Sequence, residues 1–394
     1  MCYRTANEVH TGSFDLDMET LRVIWLNWRD ITNPAAGGAE LYTHQVAMRL
    51  ARKGHEVTLF TSKYPGCREE EEKDGVSIVR KGTASTVYLE APRFFSTQTR
   101  KRIRYDVIVD AINTVPFLSP LYAGSAFVIA LLYQLTGEIF LKEFAHPLGH
   151  MFYALERSSH IPWYLRRADH IVTLSDSTKA ELIGVCSDLD PDKVSVIPPG
   201  SDHDHFVPGC KSDEPVLLFM NRLVQYKQPE HIIMAMKDIC AHVGNAKLIM
   251  VGTLVSGRYA KSLMDLVSSL GLESKVSFLL SRPFASSKIT LFQRAWIHVL
   301  PSMKEGFGLS ILEAAACGTP TVGYDVPGAR DAVIQGKTGV LVPSGDTVSL
   351  GSCVTELLTD NERRRMLGDQ ATGWAKNFLW DDTARHFANA MKHA

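Results

Sequence analysis

From Leu21 onward the chain alternates short apolar runs with longer stretches whose apolar positions recur at helical spacing. Leu21 to Asn27 reads as a strand, Gly38 to Lys53 as a helix with apolar Leu41, Val46, Met48 and Leu50, and His55 to Thr61 as a second strand. Together they make a βαβ unit. The same pattern predicts strands at Val76 to Arg80, Asp106 to Asp110, Phe127 to Leu132, His170 to Leu174 and Val194 to Ile197, the last closed by Pro198, Pro199 and Gly200. After a polar, turn-rich segment from Ser201 to Asp213 a second series begins, with strands predicted at Pro215 to Met220, Lys247 to Val251, Val276 to Leu280, Ile297 to Pro301, Thr319 to Tyr324 and Gly339 to Val342. Alternation of this kind predicts an α/β fold in which mostly parallel sheets are covered by helices. Two doubly wound domains facing across a cleft are the simplest assembly, because open α/β sheets bind ligands at the carboxyl ends of their strands. The expected organisation is an N-terminal extension over 1–20, a first Rossmann-like domain over 21–205, a second over 206–378, and a C-terminal helix over 379–394 that packs back on the first.

Composition narrows the classes. A chain of 394 residues suits two domains, each able to bury a core. With 45% hydrophobic and 22% charged residues and a net charge of -1, it is neither disordered nor fibrous, and a nucleic-acid partner is not expected. Seven scattered cysteines without ligand spacing predict a reducing compartment and no structural metal. The first twenty residues carry Glu8, Asp15, Asp17 and Glu19 in place of an apolar export signal, which predicts a cytoplasmic protein. Between Asp110 and Glu138 no residue is charged, but Asn113, Pro116, Pro120 and Gly124 interrupt the run, so a loop, a short helix and a buried strand fit it better than a membrane span.

Three segments carry candidate chemistry. In the first, a strand ending at Pro301 is followed by Ser302-Met303-Lys304-Glu305-Gly306-Phe307-Gly308-Leu309 and a helix that Gly318 stops. Free N–H groups and the dipole at that helix start favour oxygen-rich ligands, and Gly306 and Gly308 let one approach the backbone. Glu305 and Glu313 flank the site. Eight helical positions span at most ~12 Å, comparable to the separation of the two sugars of a nucleotide sugar. Glu313 sits among Leu312, Ala314, Ala315 and Ala316, where an unpaired carboxylate is costly and a partner or ligand is required. The second segment, Asn221-Arg222-Leu223-Val224-Gln225-Tyr226-Lys227, ends the first strand of the second domain and offers two cations for a diphosphate. In the third, Gly37 and Gly38 between the first strand and first helix bring a backbone to the ligand from the opposite wall, without the spacing of a dinucleotide fingerprint.

With these residues in place the chain resembles glycosyltransferase family 4, a large retaining family of the GT-B fold. Glu305 to Glu313 matches its E-x7-E motif. Arg222 and Lys227 match its basic pair, with Asn221 where glycine is usual. Gly37-Gly38-Ala39-Glu40, Ser175-Asp176-Ser177-Thr178, Pro199-Gly200 and Val326-Pro327-Gly328 match four further turns in the family's order. The resemblance implies an acceptor-binding first domain and a nucleotide-sugar donor domain, with UDP- or GDP-linked hexose as co-substrate and neither metal nor other cofactor. It implies that Glu305 contacts the transferred sugar, Glu313 the ribose, Arg222 and Lys227 the departing diphosphate, and the amides of Phe307 to Leu309 the sugar.

One position departs from the family. Where many members carry histidine in an H-Q segment, this chain reads Leu132-Tyr133-Gln134. Tyr133, with a reference pKa near ~10, can hydrogen-bond a sugar but cannot serve as a base near neutral pH. Tyr133 and Ser175 are the candidate sugar or acceptor contacts, and His146 and His150 read as surface or turn histidines. Arg93-Phe94-Phe95 and Arg100-Lys101-Arg102-Ile103-Arg104-Tyr105 place basic and aromatic residues together in the first domain, a pattern that suits a lipid-linked acceptor or an anionic membrane surface as well as a solvated helix. A glycan or small-molecule acceptor is equally compatible. A nucleotide-sugar epimerase or a retaining phosphorylase fits the same architecture. So does a degenerate binding protein without turnover.

Overall fold

The computed structural model describes residues 19–144, 146–253, 256–280 and 285–392, so nearly all of the expected N-terminal extension lies outside the described residues. Two sheets organise the chain. The first contains β1 (Arg22–Leu26), β2 (Glu56–Thr61), β3 (Glu70–Lys73), β4 (Val76–Arg80), β5 (Val107–Ile112), β6 (Phe127–Leu132), β7 (His170–Thr173) and β8 (Val194–Val196), in the order β3-β4-β2-β1-β5-β6-β7-β8. The second contains β9 (Val216–Met220), β10 (Lys247–Val251), β11 (Val276–Leu279), β12 (Ile297–Leu300), β13 (Thr321–Tyr324) and β14 (Gly339–Val342), in the order β11-β10-β9-β12-β13-β14. All described pairings are parallel except β3 with β4. Helices cover both faces, so central strands such as β5, Val-Ile-Val-Asp-Ala-Ile, are buried at every position and read as near-continuous apolar runs, broken here by Asp110.

β3 is the strand that apolar periodicity does not predict. Its sequence is Glu-Glu-Glu-Lys, and it lies at the sheet edge, where charge discourages pairing with other chains. Its local signal is the Asp74-Gly75 turn, whose residues take φ of 54° and 81°, the geometry a tight hairpin requires. The uncharged stretch after Asp110 forms the end of β5, a short 3-10 turn at Ser119–Leu121 and β6. Among the described residues no helix is long and apolar enough to cross a membrane.

The last helix, Trp380–Ala390, lies against the helix Gly38–Arg52 of the first sheet. Phe387 stacks on Trp25 with centroids 4.9 Å apart, Trp380 meets Tyr42 edge to face at 6.1 Å, and Arg49 pairs with Asp381 at 2.6 Å. The chain therefore passes between the two bodies twice. The passages are bonded side by side, with Ser201 N–H donating to Phe378 O at 2.9 Å and Thr383 Oγ1 donating to Pro198 O at 2.9 Å.

Candidate active site

In the second sheet the connections diverge between β9 and β12, since β9 leads outward to β10 and β12 leads the other way to β13. Diverging connections leave a crevice beyond the carboxyl ends of those two strands. β9 runs into Asn221–Lys227 and β12 into Pro301–Glu305, so the two segments singled out by sequence meet there. In the first sheet the divergence falls between β1 and β5, and β1 runs into the loop that carries Gly37 and Gly38.

Glu305 stands at the centre of the crevice. Lys227 Nζ lies 2.7 Å from Glu305 Oε1, and the two side chains are only 7% and 10% exposed. Asn221, where glycine is usual in the family, donates from Nδ2 to the same oxygen at 3.3 Å. The Glu305 backbone is fixed as well, its N–H donating to Pro327 O at 3.1 Å. Gly328 packs so closely that a Cβ there would lie 2.2 Å from Glu305 O. The Val326-Pro327-Gly328 turn thus supports the glutamate from below. Lys227 closes a 3-10 turn, Gln225–Lys227, which ends at Gln228 with φ of 49°. Arg222 Nη2 donates to Tyr226 OH at 2.6 Å, and Lys227 Nζ sits 4.8 Å from the Tyr226 ring centre.

Glu313 lies on the inward side of the helix Leu309–Ala316, buried, and forms a short ion pair with Lys288. The partner its apolar neighbourhood demands is therefore a lysine from another helix, Ala285–Arg294. Intrahelical bonding begins with Ile311 N–H to Gly308 O at 2.8 Å, so the N–H groups of Leu309 and Ser310 precede the helix's own hydrogen bonds.

The first sheet closes on this site. A Cβ on Gly38 would meet Leu309 Cδ1 at 3.1 Å, and one on Gly306 would meet Tyr133 O at 2.7 Å, so the two bodies approach to backbone contact at Gly306. Lys304 Nζ pairs with Glu181 at 2.7 Å, Ser177 N–H donates to Asp331 Oδ1 at 3.0 Å, and Ile139 packs with Val224, Tyr226 and Met303. Lys304, the loop residue before Glu305, is buried, and Glu181 from the other body is its partner. The loop before Gly37 is anchored by Asp30, whose carboxylate accepts from Arg80 Nε at 2.8 Å, both side chains being fully buried. Burial works to raise the Asp30 carboxyl, and the bonds from Arg80 and Thr32 outweigh it, holding it below the usual range. Gly37 N–H donates to Glu40 Oε2 at 2.6 Å, and Trp28 Nε1 to Glu40 Oε1 at 3.2 Å.

Two candidate sugar contacts have hydrogen-bond partners within the chain. The Tyr133 hydroxyl lies 2.7 Å from Thr43 Oγ1 in a buried polar chain that continues through Asn27 to Asn113, and burial pushes its pKa well up. Ser175 caps the helix Asp176–Val185, accepting from Thr178 N–H at 3.2 Å. The basic segment also differs from the expected mixed surface. Phe94 packs on Phe60, and Phe95 on Tyr105 and Tyr122, so its aromatic rings turn inward. His146 and His150 are exposed, with ring centres 4.8 Å apart. Among the described residues no cluster of acidic, histidine or cysteine side chains could hold a metal ion.

The comparisons agree with this geometry. The profile of "Glycosyltransferase Family 4" matches residues 36–205 and that of "Glycosyl transferases group 1" residues 201–374. A GDP-mannose-dependent α-(1-6)-phosphatidylinositol monomannoside mannosyltransferase of Mycolicibacterium smegmatis is 29% identical over 91% of this chain and 95% of its own. D-inositol 3-phosphate glycosyltransferases of Corynebacterium diphtheriae and Stackebrandtia nassauensis are each 34% identical, over 49% and 58% of this chain. Those two matches span about half of each relative, 49% and 54%. Among solved structures, a sucrose-phosphate synthase from Thermosynechococcus elongatus superposes with a TM-score of 0.78 at 22% identity, covering 93% of this chain and 98% of that one. A glycosyltransferase from Rickettsia africae gives 0.75 at 18% identity, covering 95% and 99%. Both likenesses establish the two-domain GT-B fold.

Proposed function

The chain belongs to glycosyltransferase family 4, and from that premise we propose that it moves a hexose from a nucleotide diphosphate sugar to an acceptor with retention of configuration. The observation that carries this reading is the Glu305 carboxylate, held by Lys227 and Asn221 in the crevice between β9 and β12. Hydrogen-bonded and paired, it is positioned to accept from sugar hydroxyls, as carboxylates do well. In the proposed step the bond between the anomeric carbon and the diphosphate oxygen breaks. The acceptor hydroxyl bonds to the same face of the sugar, and its proton passes to the departing diphosphate. Arg222 and Lys227 stabilise the charge that develops on the leaving group, Glu313 binds the ribose, and the amides of Phe307 to Leu309 with the Gly37-Gly38 loop hold the sugar phosphate. No metal or other cofactor enters this scheme.

The GDP-mannose dependence of one relative favours testing a GDP-linked donor beside UDP-linked ones. Inositol-based acceptors in the relatives' names favour a phosphate-bearing acceptor, lipid-linked or free, within the broader set of glycan and small-molecule acceptors. Thermal-shift screening of UDP- and GDP-sugars followed by a donor-hydrolysis assay tests the reading. Replacing Arg222 or Lys227 by alanine should lower turnover ~10²–10³-fold, by analogy with the loss of one donor to a developing oxyanion. If Glu313→Ala and Arg222→Ala left both donor affinity and turnover unchanged, the site assignment would fall.

Peripheral attachment to an anionic membrane is a second part of the proposal, and a cluster of exposed apolar side chains supports it at a different place from the basic segment. Leu141, Phe144, Leu148, Met151 and Leu155 are exposed on two consecutive short helices, beside Lys142 and Arg157. Interfacial binding needs such apolar side chains next to cations. Sedimentation with liposomes of graded anionic-lipid content should show binding that Met151→Asp/Leu155→Asp abolishes. No binding at low salt would remove the proposal.

A further inference from the structure

Arg29 follows β1 in the first sheet's loop and plays no part in the family motifs described above. Its guanidinium lies 3.8 Å from the Trp28 ring centre, and its Nη1 donates to Ala35 O at 2.7 Å, two restraints that hold a long cation in one place. Across the cleft, Arg222 is restrained in the same manner by Tyr226 OH at 2.6 Å. Each guanidinium lies within electrostatic reach of the other, and Tyr226 and Tyr88 are also near Arg29. Burial, and then the charge of Arg222, lower the Arg29 pKa.

Among the described residues neither arginine has a carboxylate within ion-pairing distance. The carboxylate that acts on Arg29 is Glu40, and both of its oxygens already accept, from Gly37 N–H and Trp28 Nε1. Two restrained, half-buried like charges within electrostatic reach of each other disfavour the closed arrangement unless an anion lies between them. Guanidinium forks match phosphate oxygens better than any other side chain does.

We infer that Arg29 and Arg222 form a two-sided clamp for one phosphate group, with one jaw on each body. This rests on the donor reading proposed above. The phosphate has two chemical sources, the terminal phosphate of the nucleoside diphosphate or a phosphate on the acceptor. With its full chain, wild-type protein and the Arg29→Gln and Arg29→Lys variants are titrated calorimetrically with GDP, UDP, GMP and UMP, and then with inorganic phosphate after saturation by the tighter diphosphate. If the donor supplies the phosphate, Arg29→Gln weakens the diphosphate about ten- to a hundredfold, the loss of one charge-assisted hydrogen bond, and leaves the monophosphate within about twofold. If the acceptor supplies it, nucleotide affinities hold, and the inorganic phosphate bound by the wild type is lost in Arg29→Gln. In either case Arg29→Lys, which keeps the charge and the stacked stem, recovers part of the affinity. Unchanged binding in every titration overturns the clamp, and so does an equal loss for mono- and diphosphates. Failure of the wild type to bind any of the four nucleotides sinks the donor reading instead, and the phosphate titration of the nucleotide-free protein then decides the clamp.

Discussion

Replacing Lys227 by methionine should be among the most destabilising single changes available in this protein, and turnover should be lost as well. The substitution keeps most of the stem volume but removes the ammonium that lies 2.7 Å from Glu305 Oε1. Glu305 would then keep the Asn221 amide at 3.3 Å as its remaining side-chain donor, in a site where its side chain is 10% exposed. Breaking one member of a buried ion pair leaves an uncompensated charge and costs about 3–5 kcal/mol. Removing both charges, in Lys227→Met with Glu305→Gln, leaves two neutral groups of nearly the original shape, and most of that loss should return. A double-mutant cycle by urea denaturation, with the far-ultraviolet signal followed to completion, should therefore give a coupling above about 2 kcal/mol. All three variants should be inactive, which separates stability from chemistry. A cost below about 1 kcal/mol for Lys227→Met would mean that Glu305 is hydrated and the pair screened, as for surface pairs. The argument for a desolvated carboxylate at the centre of the crevice would then be refuted.

Three further outcomes are expected. Gly328→Ala introduces a Cβ 2.2 Å from Glu305 O at a φ of 81°, so it should destabilise the protein by more than ~2 kcal/mol and lower turnover, whereas Gly336→Ala, with φ of 71° and open space around it, should cost only ~1 kcal/mol. His298 is fully buried on β12 and burial lowers its pKa from 6.5 to about 3, so the unfolded chain binds the extra proton between those values. Its contribution to stability is intact above pH 6.5 and is lost as pH falls towards 3, and denaturation midpoints across that window should flatten in His298→Gln. Phe387→Ala removes a fully buried ring stacked at 4.9 Å on Trp25 and should cost about 3–5 kcal/mol in thermal or urea unfolding.

Features carried by contiguous residues were legible before the structure. Both series of strands announce themselves as apolar runs because parallel strands are buried on both faces, and Glu305 and Lys227 lie in loops that leave adjacent strands at one divergence. Pairings between distant segments were not legible. Nothing near Glu313 names Lys288, nothing near Lys304 names Glu181, and Arg29 comes within electrostatic reach of Arg222 only through the approach of loops from different sheets. For Tyr133, sequence position shows which strand end the side chain occupies, but not that Thr43 lies 2.7 Å from its hydroxyl. The inward rings of Phe94 and Phe95 mark the same limit on a helix whose charged residues suggested an open surface. β3 escaped because edge strands are selected for charge, so hydrophobic period has nothing to report there.

The two side-by-side passages between the bodies have a mechanical consequence. A single tether would leave three rotations open to the second body. Here the segments at Ser201 and Phe378 are joined by a backbone hydrogen bond of 2.9 Å, the first lying between β8 and β9 and the second leading into the helix Trp380–Ala390. Such a coupled pair behaves as a pin, allowing swing about the line through both segments while opposing twist about the chain direction. Residues far from the pin then sweep the longest arcs, whereas the Gly306 and Tyr133 contact moves least, because the Phe307 ring packs 5.3 Å from Phe378 and Tyr133 packs on Tyr42 beside Trp380.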